Sequence, residues 1–551
     1  MRTTARTTRR LSVPCRLVPI RIVVEPEGDS SMSIMPEPHT NIDPAPPTGH
    51  ELLFPPLPYD FAARADRASG DIRLQQFVTS ATLHKHELRK EVCTQTFGAD
   101  RYDRLRALAG DIKQHTLDHL DHYLEQFIDT ATLAGTQVHF ASTAEEANAI
   151  CVSIARGNQC RLCVKAKSMV TEEIRLVPAL EAAGCETVES DLGEYILQLD
   201  HDAPSHIVAP MIHKDRSAVA RAFQRCLGAP YTEDARELTR IARGVLRDKY
   251  RKADLGMSGG NFLVAETGSV VICTNEGNGR LCTSVPPVHI AVVGIEKLVP
   301  SFEHLAVLLK LLARSSTGQP LTVYTHVMTG PRRPREQDGP REMHVVLVDN
   351  GRSEILREST REMLRCIRCG ACLNACPVYR SIGGHAYGAV YSGPIGAILT
   401  PLFRGLANFK DLPHASSLCG ACFQACPVKI NIPKFLIQLR SEMVRRRISK
   451  LSDRLIFGGW GQSLRHPLTY RLGGWVQKNV FRIRARGEGT LQPATDPYAS
   501  RGWVRTMRGP IAGWTKIRDM PTPPARSFRH WWARRAGSEG PGVRGKKGND
   551  T

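Results

Sequence analysis

Two short cysteine runs constrain this chain of 551 residues more than any other feature. Residues 366 to 377 read CIRCGACLNACP, so Cys366, Cys369, Cys372 and Cys376 stand with two, two and three residues between them, and Pro377 follows. A second run, CGACFQACP, sets Cys419, Cys422 and Cys426 ahead of Pro427. Runs with this spacing and a closing Cys-Pro carry the iron–sulfur ligands of bacterial ferredoxins. One tight loop must bring three thiolates to neighbouring corners of a small cube, and Gly370 lets the backbone approach it. In two-cluster ferredoxins the last Cys of a run ligates the other cluster. The expectation is therefore one 4Fe-4S cluster on Cys366, Cys369, Cys372 and Cys426, and a second on Cys376, Cys419 and Cys422. Zinc is the ordinary alternative for a Cys quartet, but seven Cys in a doubled pattern speak against it.

The second set is one ligand short, because Ser416 stands where an eighth Cys would fall. A 4Fe-4S centre completed by Ser416, water or a partner residue, a 4Fe-4S centre with one open iron, and a 3Fe-4S centre all stay open, the 4Fe-4S form being preferred. The interval from Cys376 to Cys419 exceeds that of a compact bacterial ferredoxin and contains helical text, Ile395 to Phe403. The helical ferredoxin-type domain of succinate dehydrogenase and related subunits is the better match. Cys160 and Cys163 form a lone CxxC in a predicted strand, where they face opposite sides, and are expected to be ordinary cysteines. The remaining Cys have no metal spacing.

Sixteen Cys without a cleavable apolar leader point to a reducing compartment, hence the cytoplasm. No stretch nears the roughly 18 apolar residues of a membrane-spanning helix, so at most a membrane-peripheral location is expected. The formal charge of +20 resembles a nucleic-acid signature until it is located. Residues 1 to 24 hold six Arg and no acid, and residues 441 to 551 hold 23 Lys and Arg against seven acids, which leaves the middle near −2. The excess lies in the ends, and without a base-reading motif no nucleic-acid partner is expected. The Arg-rich start reads as a transit segment or, preferably, as sequence upstream of a true start at Met32 or Met35, followed by a Pro-rich linker to Pro58.

These features divide the chain into a disordered extension (1–57), a helical lead-in with an α/β domain (58–350), a mostly helical two-cluster ferredoxin-type domain (351–447) and a basic, extended tail (448–551). In the α/β part, strand candidates at 161–165, 206–210, 262–265, 270–274, 289–293, 321–326 and 344–348 are separated by helical text at 171–183 and 302–313. That alternation predicts βαβ units and a mainly parallel sheet. Its binding candidates are weak. KAKSMVTEEI, residues 165 to 174, runs from strand to helix with Lys165 and Lys167 nearby; the segments 256–261 and 275–280 are Gly-rich; Glu266 and Arg280 are the candidate catalytic side chains, acting as carboxylate and anion clamp.

Linked motifs then carry a resemblance. KAKSMVTEEI, DLGEY at 191–195, AETGSV at 265–270, TNEGNGR at 274–280, PPVHI at 286–290 and the two cysteine runs together resemble the lactate utilization protein B family, over about residues 60 to 445 and again from Trp503 to Trp532. The resemblance implies a sugar-isomerase and CoA-transferase-like α/β domain (the LUD type) and a ferredoxin-type domain with two 4Fe-4S clusters. It maps the ligand Cys onto the two sets above, with the eighth Cys missing as in the family. It further implies an iron–sulfur electron-transfer role with two sister subunits in oxidising L-lactate to pyruvate, with electrons passing toward a membrane acceptor. Two alternatives compete with it. One is the iron–sulfur subunit of a glycolate or disulfide oxidoreductase; the other is an α/β enzyme using Glu266 and Arg280 on a carboxylate or CoA ester.

Overall fold

Ten strands of the α/β part form where short apolar runs are flanked by turn residues: β1 (Gln137–Ala141), β2 (Leu162–Lys165), β3 (Glu186–Glu189), β4 (Leu255–Ser258), β5 (Phe262–Val264), β6 (Ser269–Thr274), β7 (Val288–Gly294), β8 (Leu298–Val299), β9 (Tyr324–Met328) and β10 (Glu342–Val348). The computed structural model describes residues 49–449, 451–493, 495–515 and 518–538. Expectations for residues 1 to 48, including the start at Met32 or Met35, lie outside the described residues.

Six strands make an all-parallel sheet in the order β1-β10-β7-β4-β2-β3. Every residue of β7 is buried, as expected for a central parallel strand with both faces covered. A smaller mixed sheet, β8-β5-β6-β9, packs beside it. The β5–β6 hairpin turns through Gly268 at φ +66°, and a Cβ there would meet the backbone of Ala131 at 2.3 Å. The α/β class is as expected from sequence.

Two local expectations fail. His206–Pro210 is a turn, not a strand, because the His206 Nδ1 accepts from the amides of Val208 and Ala209 at 3.0 and 3.1 Å and Ser205 donates its amide to the Pro210 carbonyl. The segment 256–261 is a loop only in its second half. Gly256 lies within β4, where the helix Asn278–Ser284 presses so close that a Cβ would stand 1.7 Å from the Cys282 carbonyl oxygen.

The helical lead-in belongs to the core. Val78 and Ala109 share one apolar cluster with Leu308 and Leu311 of the α/β part and with Leu373, Tyr379, Ile398 and Phe435 around the cysteine loops. Arg106, on the helix Ala99–Asp118, donates to the carbonyls of Cys426 and Phe423 at 2.8 and 2.9 Å. A buried ionic seam lies between the sheet and the cysteine-bearing part. Arg352, fully buried, makes paired bonds to Glu173 at 2.9 Å and donates Nε to Glu296 at 2.6 Å, while Tyr391 donates to Glu173.

The ends depart from expectation. Residues 49–57 are not wholly linker, since Gly49–Leu53 is helical, Leu53 is buried, and Gly49 donates its amide to the His201 carbonyl. The tail is not extended, for it holds the helices Leu451–Arg465 and Pro467–Gly487. Most of their apolar residues, among them Leu455, Trp460, Leu468 and Trp475, are exposed, and only Phe481 and Ala485 are buried, against Val504 and Met507, so little core face imposed the periodicity by which a helix is recognised.

Candidate functional site

The two cysteine loops repeat one backbone. Arg368 (φ +59°) and Leu418 (φ +56°) are left-handed immediately before Cys369 and Cys419, and Gly370 and Gly420 are left-handed immediately after. A short helix follows each time, Ala371–Ala375 and Ala421–Ala425, and ends at Cys376 or Cys426. A left-handed non-Gly residue costs about 1–2 kcal/mol, so its recurrence marks a conformation that the loop is built to hold. The fold turns amides toward sulfur. Tyr379 donates its N–H to Cys376 Sγ at 3.5 Å, and Ile430 to Cys426 Sγ at 3.3 Å.

The tertiary structure then sorts the seven thiols into two groups, crossing between loops. Cys366, Cys369, Cys372 and Cys426 line one cavity whose other walls include Ile207, Ile395, Val428 and Ile430. Cys376, Cys419 and Cys422 are neighbours in the second group. Burial, and then its Cys366 and Cys369 neighbours, push the Cys372 thiol far above its ordinary range. Burial pushes Cys426 up to about 11. Cys419 differs: it is exposed, and the Ala421 amide pulls its pKa down. Crowded soft donors, an apolar wall and inward N–H groups suit thiolate-bound iron and sulfide, so the residues fit the group that the spacing predicts. Ser416 Oγ accepts from the Leu418 amide at 3.1 Å.

A larger cavity of about 430 Å³ lies at the carboxyl ends of β2 and β4, the usual place for ligands in parallel sheets. Ile207, Arg368 and Cys369 belong to the walls of both cavities. Of the candidates named from sequence, Lys167 lines the larger one. Lys165 does not, being buried in the core with Glu172 at 3.0 Å and Glu189 at 2.7 Å. Glu266 is exposed and accepts from the Phe302 amide at the start of the helix Phe302–Thr317. Arg280 is exposed on the helix Asn278–Ser284. Neither Glu266 nor Arg280 lines the cavity. Three cations that do line it, Lys85, Lys297 and Arg368, were missed. The one available signal was Glu296-Lys297, a charged pair inside a run from Val288 to Val299 that is otherwise apolar but for His289.

The chain thus combines a parallel α/β domain with paired ferredoxin-type cysteine loops, and comparison with known proteins gives that combination a family. The LUD domain description matches residues 124–348, the 4Fe-4S dicluster domain matches 362–430, and the C-terminal domain of lactate utilisation protein B matches 445–537. Lactate utilization protein B of Bacillus licheniformis is 46% identical over 442 residues, covering 80% of this chain and 90% of that protein. The protein of the same name from Shouchella clausii is 43% identical over 476 residues, covering 86% and 97%. A DUF162 family protein of known structure from Deinococcus radiodurans is 18% identical and spans 42% of this chain and 98% of its own, with a TM-score of 0.25. The chain belongs to the lactate utilization protein B family. It is an iron–sulfur protein of the dicluster type, and among the described residues no helix is long and apolar enough to cross a membrane.

Proposed function

We propose that this chain is the iron–sulfur electron-transfer subunit of a cytoplasmic complex that oxidises L-lactate to pyruvate, working with two sister subunits and delivering electrons toward a membrane acceptor. In this reading Cys366, Cys369, Cys372 and Cys426 hold one 4Fe-4S cluster, and Cys376, Cys419 and Cys422 hold the other, within a domain spanning about 351–447. The observation that carries it is the crossed grouping of the seven thiols, each group taking Cys from both loops. The names of the relatives support the substrate.

A bound cluster supplies reversible one-electron chemistry. The chain's own contribution is to hold and insulate. Ile395, Val428 and Ile430 keep water from the first group, and the amides of Ile430 and Tyr379 offset thiolate charge. Cys419, at the surface, keeps the second group within reach of a partner. The test is anaerobic purification with iron and sulfide analysis and electron paramagnetic resonance, followed by reduction by lactate in the presence of the sister subunits. Two centres reduced by L-lactate are expected. Zinc, or iron without acid-labile sulfide, would sink the reading.

A further inference from the structure

Four cationic side chains line the 430 Å³ cavity between the parallel sheet and the first cysteine loop, and they are short of counter-charges. Lys297 is only 7% exposed and has no hydrogen bond or ion pair among the described residues. The Nζ of Lys167 is out of solvent without a partner, as is Nη1 of Arg368. The other terminal nitrogen of Arg368 reaches Glu296 at 3.4 Å, but that carboxylate is already bound by Arg352 at 2.6 Å. Lys85 is the fourth. Two acids stand in the same wall, Asp191 and Glu276, and each already accepts a backbone amide, from Glu194 and from Leu192, at 3.2 Å.

Burying a charge is costly unless it is paired. Two lysines without a hydrogen-bond partner and an arginine with one unpartnered terminal nitrogen, converging on one cavity, therefore describe the complement of an anion. Beside them lie Ile207, Ile272 and Leu312, which suit a carbon skeleton better than a bare inorganic ion. The site also abuts the first thiol group, because Arg368 and Cys369 belong to both walls.

We propose that this cavity binds a small organic carboxylate, its carboxylate held by Lys167, Lys297 and Arg368 and its carbon chain packed on Ile207, Ile272 and Leu312, beside Cys369. Naming lactate as the occupant rests on the function proposed above; carboxylate binding itself does not. The volume exceeds that of a three-carbon acid, so longer carboxylates also fit.

Anaerobic calorimetric titration of the full-length, cluster-loaded protein tests this. L-lactate, pyruvate, glycolate and inorganic phosphate serve as probes, alongside Lys167→Gln and Lys297→Gln. Saturable binding of at least one carboxylate is expected, weakened roughly tenfold or more by either substitution, the usual effect of deleting a charged hydrogen bond. Iron and sulfide content should stay at the wild-type level. The proposal is overturned if the wild-type protein binds none of the carboxylates, if both variants bind as the wild type does, or if phosphate binds as well as the best carboxylate. A shift in cluster potential without carboxylate binding overturns it too, since the lysines would then serve cluster charge alone. Cluster content is measured separately, so failure of the electron-carrier reading shows as missing iron and sulfide whatever the titration gives. Should one variant fold poorly, by circular dichroism, the other and the wild-type titration still decide.

Discussion

The two thiol groups share a local backbone and differ in everything around it. Four Cys of the first line a cavity walled by Ile207, Ile395, Val428 and Ile430, whereas the second has three Cys, with Cys419 at the surface. The same CGAC loop therefore sits in two settings: one thiol group walled by apolar side chains, the other with a Cys at the surface. Solvent exposure is among the main determinants of iron–sulfur potentials, so the loop specifies ligation while the packing specifies what the centre is for.

The contrast can be broken most directly at Cys426. Cys426→Ser should remove the first centre and with it about half the iron and sulfide, whereas Cys419→Ser should remove the second, already one Cys short, and leave the first in place. Loss of the same electron paramagnetic resonance signal from both variants would abolish the distinction. Next in size is the seam beside the first group. Arg352→Met leaves Glu173 buried without its cation and Glu296 with only the longer contact to Arg368, and the loss expected in urea unfolding is about 3–5 kcal/mol. Glu296→Gln adds a pH signature. The Arg352 guanidinium holds the Glu296 carboxyl down to about 2, below its ordinary 4.5. The stability this gives is complete above pH 4.5 and fades as pH falls toward 2, so the gap in urea midpoint between wild type and variant should narrow through that window.

A smaller effect is kinetic. An iron chelator should draw iron in two phases, the faster from the second group, and Cys419→Ser should remove that phase; a single phase in the wild type would count against two unlike environments. Least is expected of Ser416→Cys. Ser416 Oγ is engaged with the Leu418 amide, so the change should slow the fast phase by a few-fold at most, with iron content the same.

Legibility followed the range of the physics. Ligand spacing is local, and the crossed grouping follows from the ferredoxin rule, so both thiol groups could be read in the sequence. The parallel sheet announced itself through Val288–Gly294 and Glu342–Val348, whose runs are almost wholly apolar. The turn at His206–Pro210 did not, since an imidazole acting as acceptor looks like any other residue in an apolar stretch. Strand β4 hid behind Gly256, whose missing side chain answers a helix that comes later in the chain. The cations of the large cavity were least visible: Lys85, Lys297 and Arg368 come from three distant elements, and no spacing rule joins them.

The crossing of Cys426 to the first group and Cys376 to the second has a consequence for biosynthesis. While translation has reached only as far as Lys410, the emerging polypeptide owns three thiols of one set and a single thiol of the other, so the first still lacks Cys426 and the second lacks both Cys419 and Cys422. Full ligation must therefore wait until the segment through Cys426 has left the ribosome, and a chain truncated between the runs should emerge without the second centre and with the first held by three Cys at most.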